Sequence, residues 1–265
     1  LRDNVWGPQD EDAARRDFTI NALYADPDTG EIQDYFGGVA DLEAGIVRFI
    51  GEPLTRIAED HLRILRFFRF NARFGKGPPH AESLAACRVR ANDLMALSRE
   101  RIAMELLAIL ALPNPESAIG LMIDNGIFVP VLPEIADAAP LGRLLEREKA
   151  LASEPDALRR LAALLPADPA LAEDVGNRLR LSNAQRKQLI TLASRSVDDN
   201  TNPKALAYRL GQGATLAMLA FTGFQRVASG GHFLSDVLLS WVFTGVIALI
   251  LARLMLGRSG PVARP

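Results

Sequence analysis

The stretch "EDHLRILRFFRFNARF", Glu59 to Phe74, repeats one charged residue type at helical spacing. With each residue turned about 100° on a helix, Ile64, Leu65, Phe68 and Ala72 gather on one side. Arg63, Arg66, Arg69 and Arg73 then fall within an arc of roughly 120° on the other. A solvated amphipathic face is the plain explanation of such a pattern. Arginine is used every time in preference to lysine, however, and its rigid fork suits phosphates and base edges. Asp60 and Arg63 stand one helical turn apart, so an acceptor and a donor fork can meet one planar ligand. A carboxylate accepts from an exocyclic amine while a guanidinium donates to a ring nitrogen or carbonyl, which together imitate a Watson–Crick edge. Cytosine and adenine offer that amine. Uracil and guanine would set carbonyl lone pairs against Asp60.

A second stretch, "ARRDFTINALYAD", Ala14 to Asp26, reads most simply as a helix start, with Asp17 or Thr19 capping the segment from Asn21 to Tyr24. The arginine pair suggests more. Arg15 and Arg16 can hold a triphosphate tail, while Asp17 or Asn21 takes a ribose hydroxyl.

Taken in order, "RRDFTINALYAD", "DYFGGVADLEAGIVRFIGEPLTRIAEDHLRILRFFRFNARF" and "LSRERIAMELL" resemble the class II tRNA nucleotidyltransferase and bacterial poly(A) polymerase family over about residues 10–210. The resemblance implies that Arg15, Arg16, Asp17 and Asn21 form the ribose and triphosphate motif. It also implies that Glu59, Asp60 and Arg63 form an amino-acid template selecting CTP and ATP, the substrates, with tRNA or another RNA 3′ end as partner. Arg66, Arg69 and Arg73 would then face RNA, and Ser98, Glu100, Arg101 and Glu105 would lie in a neck helix that supports the template. The family begins with a glycine-rich turn and a strand carrying two aspartates that hold Mg2+ for in-line attack by the RNA 3′ hydroxyl. Asp3, Asp10, Glu11 and Asp12 lack that setting and are not assigned as metal ligands. The chain is therefore expected to be a family member without its catalytic end, and inactive alone.

The C-terminal stretch "FQRVASGGHFLSDV" carries Arg226, His232 and Asp236 at spacings of six and four, and precedes a twenty-residue run from Val237 to Leu256 whose only charge is Arg253. The pattern resembles the last motif of the phosphatidic-acid phosphatase superfamily. That implies a phosphate-binding Arg226, a nucleophilic His232 and an orienting Asp236. Gln225 stands where that family usually has Ser, and its two earlier motifs are absent. A largely apolar run of twenty residues is also long enough to span a bilayer of about 30 Å.

These residues need elements to hold them. Pro and Gly turns between short apolar pieces through residue 45 predict the end of an α/β region with a strand near Ile32 to Tyr35. From Pro53 onward apolar residues recur at helical spacing, through Leu65, Leu94, Ile102, Leu106, Ile109, Ile119 and Met122, so the body is mainly α. Helix breaks fall at "LPNPESAIG", with Ser117 or Asn114 as a cap, and at "VPVLPEI". Four divisions are expected: a remnant nucleotidyltransferase head at 1–50, neck helices with the template at 51–112, an RNA-binding helical body at 113–212, and a membrane phosphatase-like tail at 213–265. Charge supports the last boundary. From Ala214 to Pro265 the charged residues are Arg226, Asp236, Arg253, Arg258 and Arg264, whereas the whole chain holds 30 Lys and Arg against 32 Asp and Glu. The lone Cys87 excludes an internal disulfide and fits a reducing compartment. No basic region followed by an apolar one opens the chain, so no signal peptide is expected. The location expected is cytoplasmic, with attachment to a membrane through the tail. Two other functions fit parts of the sequence: a membrane phosphatase remnant, and an RNA-binding protein without catalysis.

Overall fold

The computed structural model describes residues 9–194, and their architecture is mainly α with one small sheet. Helix α1 (Gln9–Arg15) leads through a short 3-10 turn (Thr19–Asn21) into strand β1 (Leu23–Ala25), which pairs antiparallel with β2 (Ile32–Asp34), Tyr24 opposite Gln33. The turn between them is held by Asp26, whose Oδ1 accepts from the backbone N–H groups of Asp28 and Thr29. The strand expected near Ile32 is thus present. The helix expected over Asn21 to Tyr24 is not, because Leu23 and Tyr24 are drawn into the hairpin instead.

Asp34 starts α2 (Gly38–Ala44) by accepting from the N–H groups of Gly38 at 2.8 Å and Val39 at 3.0 Å. A side chain at Gly38 would meet the Thr19 carbonyl oxygen at 2.3 Å, so glycine is what lets α2 lie against the turn. Asp41 completes that contact from within the protein. It accepts from the Thr19 hydroxyl and from Arg48 Nε at 2.6 Å.

Helix α3 (Pro53–Glu59) opens with Glu52 accepting from the N–H groups of Leu54 and Thr55 and with Pro53 in the first turn, where a missing N–H costs nothing. It ends at Asp60, which is extended at φ −153°, and α4 (Arg63–Phe74) begins three residues later. The single helix expected from Glu59 to Phe74 is therefore two. The reason is local: Asp60 Oδ1 accepts from Leu62 N–H at 3.1 Å, a side-chain bond that competes with helix continuation.

The rest follows as α5 (Ala81–Val89), a 3-10 segment (Ala91–Ala96), α6 (Arg99–Leu110), α7 (Glu116–Asp124), α8 (Ala139–Ala150), α9 (Ala157–Leu164), α10 (Pro169–Arg178) and α11 (Asn183–Ala193). Side-chain caps mark many starts: Ser98 for α6, Asp156 for α9, Asp168 for α10, and a reciprocal Ser182–Gln185 box for α11. Neither Ser117 nor Asn114 caps α7, whose first-turn neighbour is Pro115.

One apolar core runs from Phe18 to Ala193 among the described residues. Its N-terminal end is aromatic. Phe18 packs on Phe49 at 4.9 Å and on Phe70 at 5.0 Å between ring centres, and Phe67 stacks on Phe49 at 5.9 Å. Residues 17–19 and 48–50 also exchange backbone bonds, Ile50 N–H to Asp17 O and Thr19 N–H to Arg48 O. The segment carrying the arginine pair is thereby seated on α4. Farther along, the buried Arg160 ties α9 back to the end of α6, donating to the Leu110 and Leu112 carbonyls at 2.6 Å and pairing with buried Glu148.

Candidate nucleotide-binding site

Packing Phe18 against α4 brings two distant motifs together. Asp17 is 4% exposed and fully engaged: Oδ1 accepts from Phe18 N–H at 3.1 Å and Asn21 Nδ2 at 2.8 Å, and Oδ2 accepts from Arg66 Nε at 2.5 Å. A buried carboxylate must be paired, and here the partner comes from 49 residues away. Arg66 also approaches Glu105 of α6 at 4.0 Å, and Arg69 Nε forms an ion pair with the same carboxylate at 2.7 Å. Both guanidiniums lie over the Phe70 ring at 5.3 Å.

This corrects the picture of an open arginine face. Arg66 and Arg69, expected to face RNA, are half-buried and spend their charge on Asp17 and Glu105. Only Arg73 of the expected trio is exposed, lying over Phe74. The helical wheel placed the arginines together but could not show that acids from α6 and the α1 end would meet them.

The α3–α4 junction holds the backbone of the arginine pair. Arg63 NH2 donates to the Arg15 carbonyl at 3.0 Å, and Arg56 NH2 donates to the Arg16 carbonyl. These bonds satisfy acceptors left over at the C-terminal end of α1 and put positive charge where the helix dipole favours it. Glu59 receives both guanidiniums, from Arg56 NH1 at 2.7 Å and from Arg63 NH1. Arg63 NH1 reaches the Arg56 carbonyl as well, at 2.8 Å. The Arg63 hydrogen bond, against a small burial penalty, holds the Glu59 carboxyl below its usual range.

Asp60 sits at the mouth of this cluster, half-buried, with Oδ2 accepting from Arg101 NH2 at 2.7 Å. Burial opposes its charge, but the Arg101 bond, the Leu62 N–H and the Arg63 charge together hold its carboxyl below the usual range. It stays an acceptor near neutral pH. A carboxylate has about four lone-pair positions, so two bonds leave room for an amine.

The structure thus assembles Arg15, Arg16, Asp17, Asn21, Glu59, Asp60 and Arg63 into one region, with Arg101 and Glu105 of α6 behind it. Sequence reasoning missed Arg56, Asp12 and Tyr24. Asp12 was legible in hindsight, standing three and four residues before Arg15 and Arg16, and it bonds both. Tyr24 donates its hydroxyl to the same Asp12, and no spacing rule predicts that, because the contact depends on the hairpin.

Magnesium does not fit the residues described. Among them no group of three His, Cys, Asp or Glu could hold a metal ion, and both oxygens of Asp12 are taken by Arg15, Arg16 and Tyr24. Also among the described residues, no helix is long and apolar enough to cross a membrane. The expected span at Val237 to Leu256, and Arg226, His232 and Asp236, lie outside the described residues.

Comparison with known proteins supports the nucleotidyltransferase class. Residues 5–48 match the poly A polymerase head domain, and residues 79–139 match a family described as the probable RNA and SrmB-binding site of polymerase A. Poly(A) polymerases and CCA-adding enzymes are both among the relatives. Poly(A) polymerase I of Escherichia coli O6:H1 is 36% identical over 155 residues, 56% of this chain and 33% of that protein. The mitochondrial CCA tRNA nucleotidyltransferase 1 of Danio rerio is 36% identical over 179 residues, 66% of this chain and 41% of that protein. The solved Bacillus stearothermophilus CCA-adding enzyme in complex with CTP superposes with a TM-score of 0.64 at 27% identity, over 87% of this chain and 57% of that one. The chain therefore spans well under half the length of these two curated relatives. The phosphatidic-acid phosphatase resemblance of the tail is not supported.

Proposed function

We propose that this chain carries the nucleotide-selecting and RNA-holding parts of a tRNA nucleotidyltransferase of the CCA-adding or poly(A) polymerase type. The observation that carries the reading is the clamp of Arg56 and Arg63 on the Arg16 and Arg15 carbonyls, which joins a candidate phosphate site to a candidate base-reading edge across 40 and 48 residues of sequence. Asp60 accepts the exocyclic amine of cytosine or adenine, and Arg63 donates to the neighbouring ring position. Arg15 and Arg16 take the triphosphate. With Asp17 buried and spent on Arg66, Asn21 is the group that meets the ribose. Arg101 and Glu105 are positioning residues, holding Asp60 and the Arg66–Arg69 pair. Arg73 is the arginine of this helix left to meet RNA.

Magnesium in the intact enzymes neutralises charge developing on the transferred phosphoryl group. This chain contributes selection, orientation and exclusion of the wrong bases. Equilibrium binding of CTP, ATP, GTP and UTP tests the proposal: CTP and ATP should bind more tightly than GTP and UTP. Equal binding of all four would overturn base selection and favour an RNA-binding protein without catalysis.

A further inference from the structure

The side chains of Arg15 and Arg16 are held very differently from their backbone. Their carbonyls are fixed by Arg63 and Arg56, but their guanidiniums share a single carboxylate, with the Tyr24 hydroxyl accepting a longer bond from Arg16 NH2 at 3.4 Å. Asp12 Oδ1 accepts from Arg15 NH2 at 2.6 Å, and Oδ2 accepts from Arg16 NH2 at 2.9 Å and Nε at 3.3 Å. Tyr24 closes the group, donating its hydroxyl to Asp12 while its ring lies 5.5 Å from the Arg16 guanidinium carbon. Asp12 thus stands where an oxygen of an anionic ligand would stand, bridging two forks and a phenol.

We propose that Asp12 is an internal competitor for the anion that the Arg15–Arg16 pair binds, so that a polyphosphate binds by displacing it. Exposure makes the displacement feasible. The side chains of Arg15, Arg16 and Asp12 are 72%, 43% and 29% exposed, and ion pairs this open contribute little net stability. A polyphosphate brings several charges and more acceptor oxygens to the same donors, whereas the clamped backbone keeps both arginines in place during the exchange. Asp12 then lies beside the bound anion as a like charge, weakening every polyphosphate to a similar degree and leaving base preference untouched. This rests on the nucleotide reading only for the identity of the natural anion.

Calorimetric titration of the whole chain and of Asp12→Asn with sodium tripolyphosphate tests it. Removing one like charge a few ångströms from the anion should tighten binding about 3- to 10-fold. CTP, ATP and UTP should tighten by the same factor, with the CTP to UTP ratio unchanged. Asp12→Ala should act in the same direction, which guards against a folding defect peculiar to one variant, and circular dichroism verifies that each is folded. Tripolyphosphate binding that is unchanged, weaker, or absent in all three proteins would overturn the proposal. A wild-type chain that fails to prefer CTP over UTP, while Asp12→Asn still tightens tripolyphosphate, would sink base selection and leave the competitor standing.

Discussion

At the scale of single residues, the site depends on carboxylates whose surroundings keep them charged. In the proposed function Asp60 is the acceptor that distinguishes an amine from a carbonyl, so Asp60→Ala should lower the preference for CTP and ATP over UTP and GTP by about 1 to 3 kcal/mol. Competition binding reads that loss directly, and an unchanged preference would place the template elsewhere. Asp12 supplies a pH test. The Tyr24 hydroxyl first, and Arg16 next, pull its carboxyl down to about 2. Because the folded value lies below the unfolded one, the stability it contributes is full above about pH 4 and is lost as pH falls toward 2. Carboxyl-carbon NMR should find its midpoint near that low value, and Tyr24→Phe should move the midpoint upward.

At the scale of elements, α4 organises the region, with its apolar side in the core and Arg63, Arg66 and Arg69 turned to acids on other elements. Arg66 holds Asp17 on one side and approaches Glu105 on the other. Arg66→Ala would leave Asp17 buried without its charged partner, a change expected to cost about 3 kcal/mol. At roughly 2 to 4 °C per kcal/mol for a domain of this size, melting should fall by about 6 to 12 °C. Arg66→Lys should recover only part, since one ammonium cannot reproduce the fork that spans two carboxylates. A melting temperature unmoved by Arg66→Ala would show that Asp17 is satisfied without it. The break between α3 and α4 belongs to this scale too. It leaves Asp60 in extended backbone, with its carboxylate paired to Arg101 of α6.

At the scale of the whole molecule, the proposed function separates selection from two-metal chemistry: among the described residues no group of three His, Cys, Asp or Glu could hold a metal ion. The purified chain is accordingly expected to add no CMP or AMP to a tRNA 3′ end in magnesium; measurable addition, followed by labelled nucleotide incorporation, would refute this. Much of the architecture was legible in the residues themselves. Helical periodicity set the mainly α body, the turn residues around Asp26 and Gly30 set the strand at Ile32, and the arginines and carboxylates marked the residues now proposed to meet a charged, planar ligand. Such features are local, encoded by spacings of two to four residues, and the chain needs no tertiary information to display them. Tertiary structure decided which charges are free. Arg66 and Arg69 look identical to Arg73 on a helical wheel, yet only packing against α6 and the Phe18 segment supplies Glu105 and Asp17 to neutralise the first two. The same packing buried Asp17, which sequence offered equally as a cap or a ribose ligand, and carried Arg56 and Arg63 onto the end of α1. A burial cost that only a partner from a distant element can offset is a property of the folded molecule, and no spacing along the chain records it.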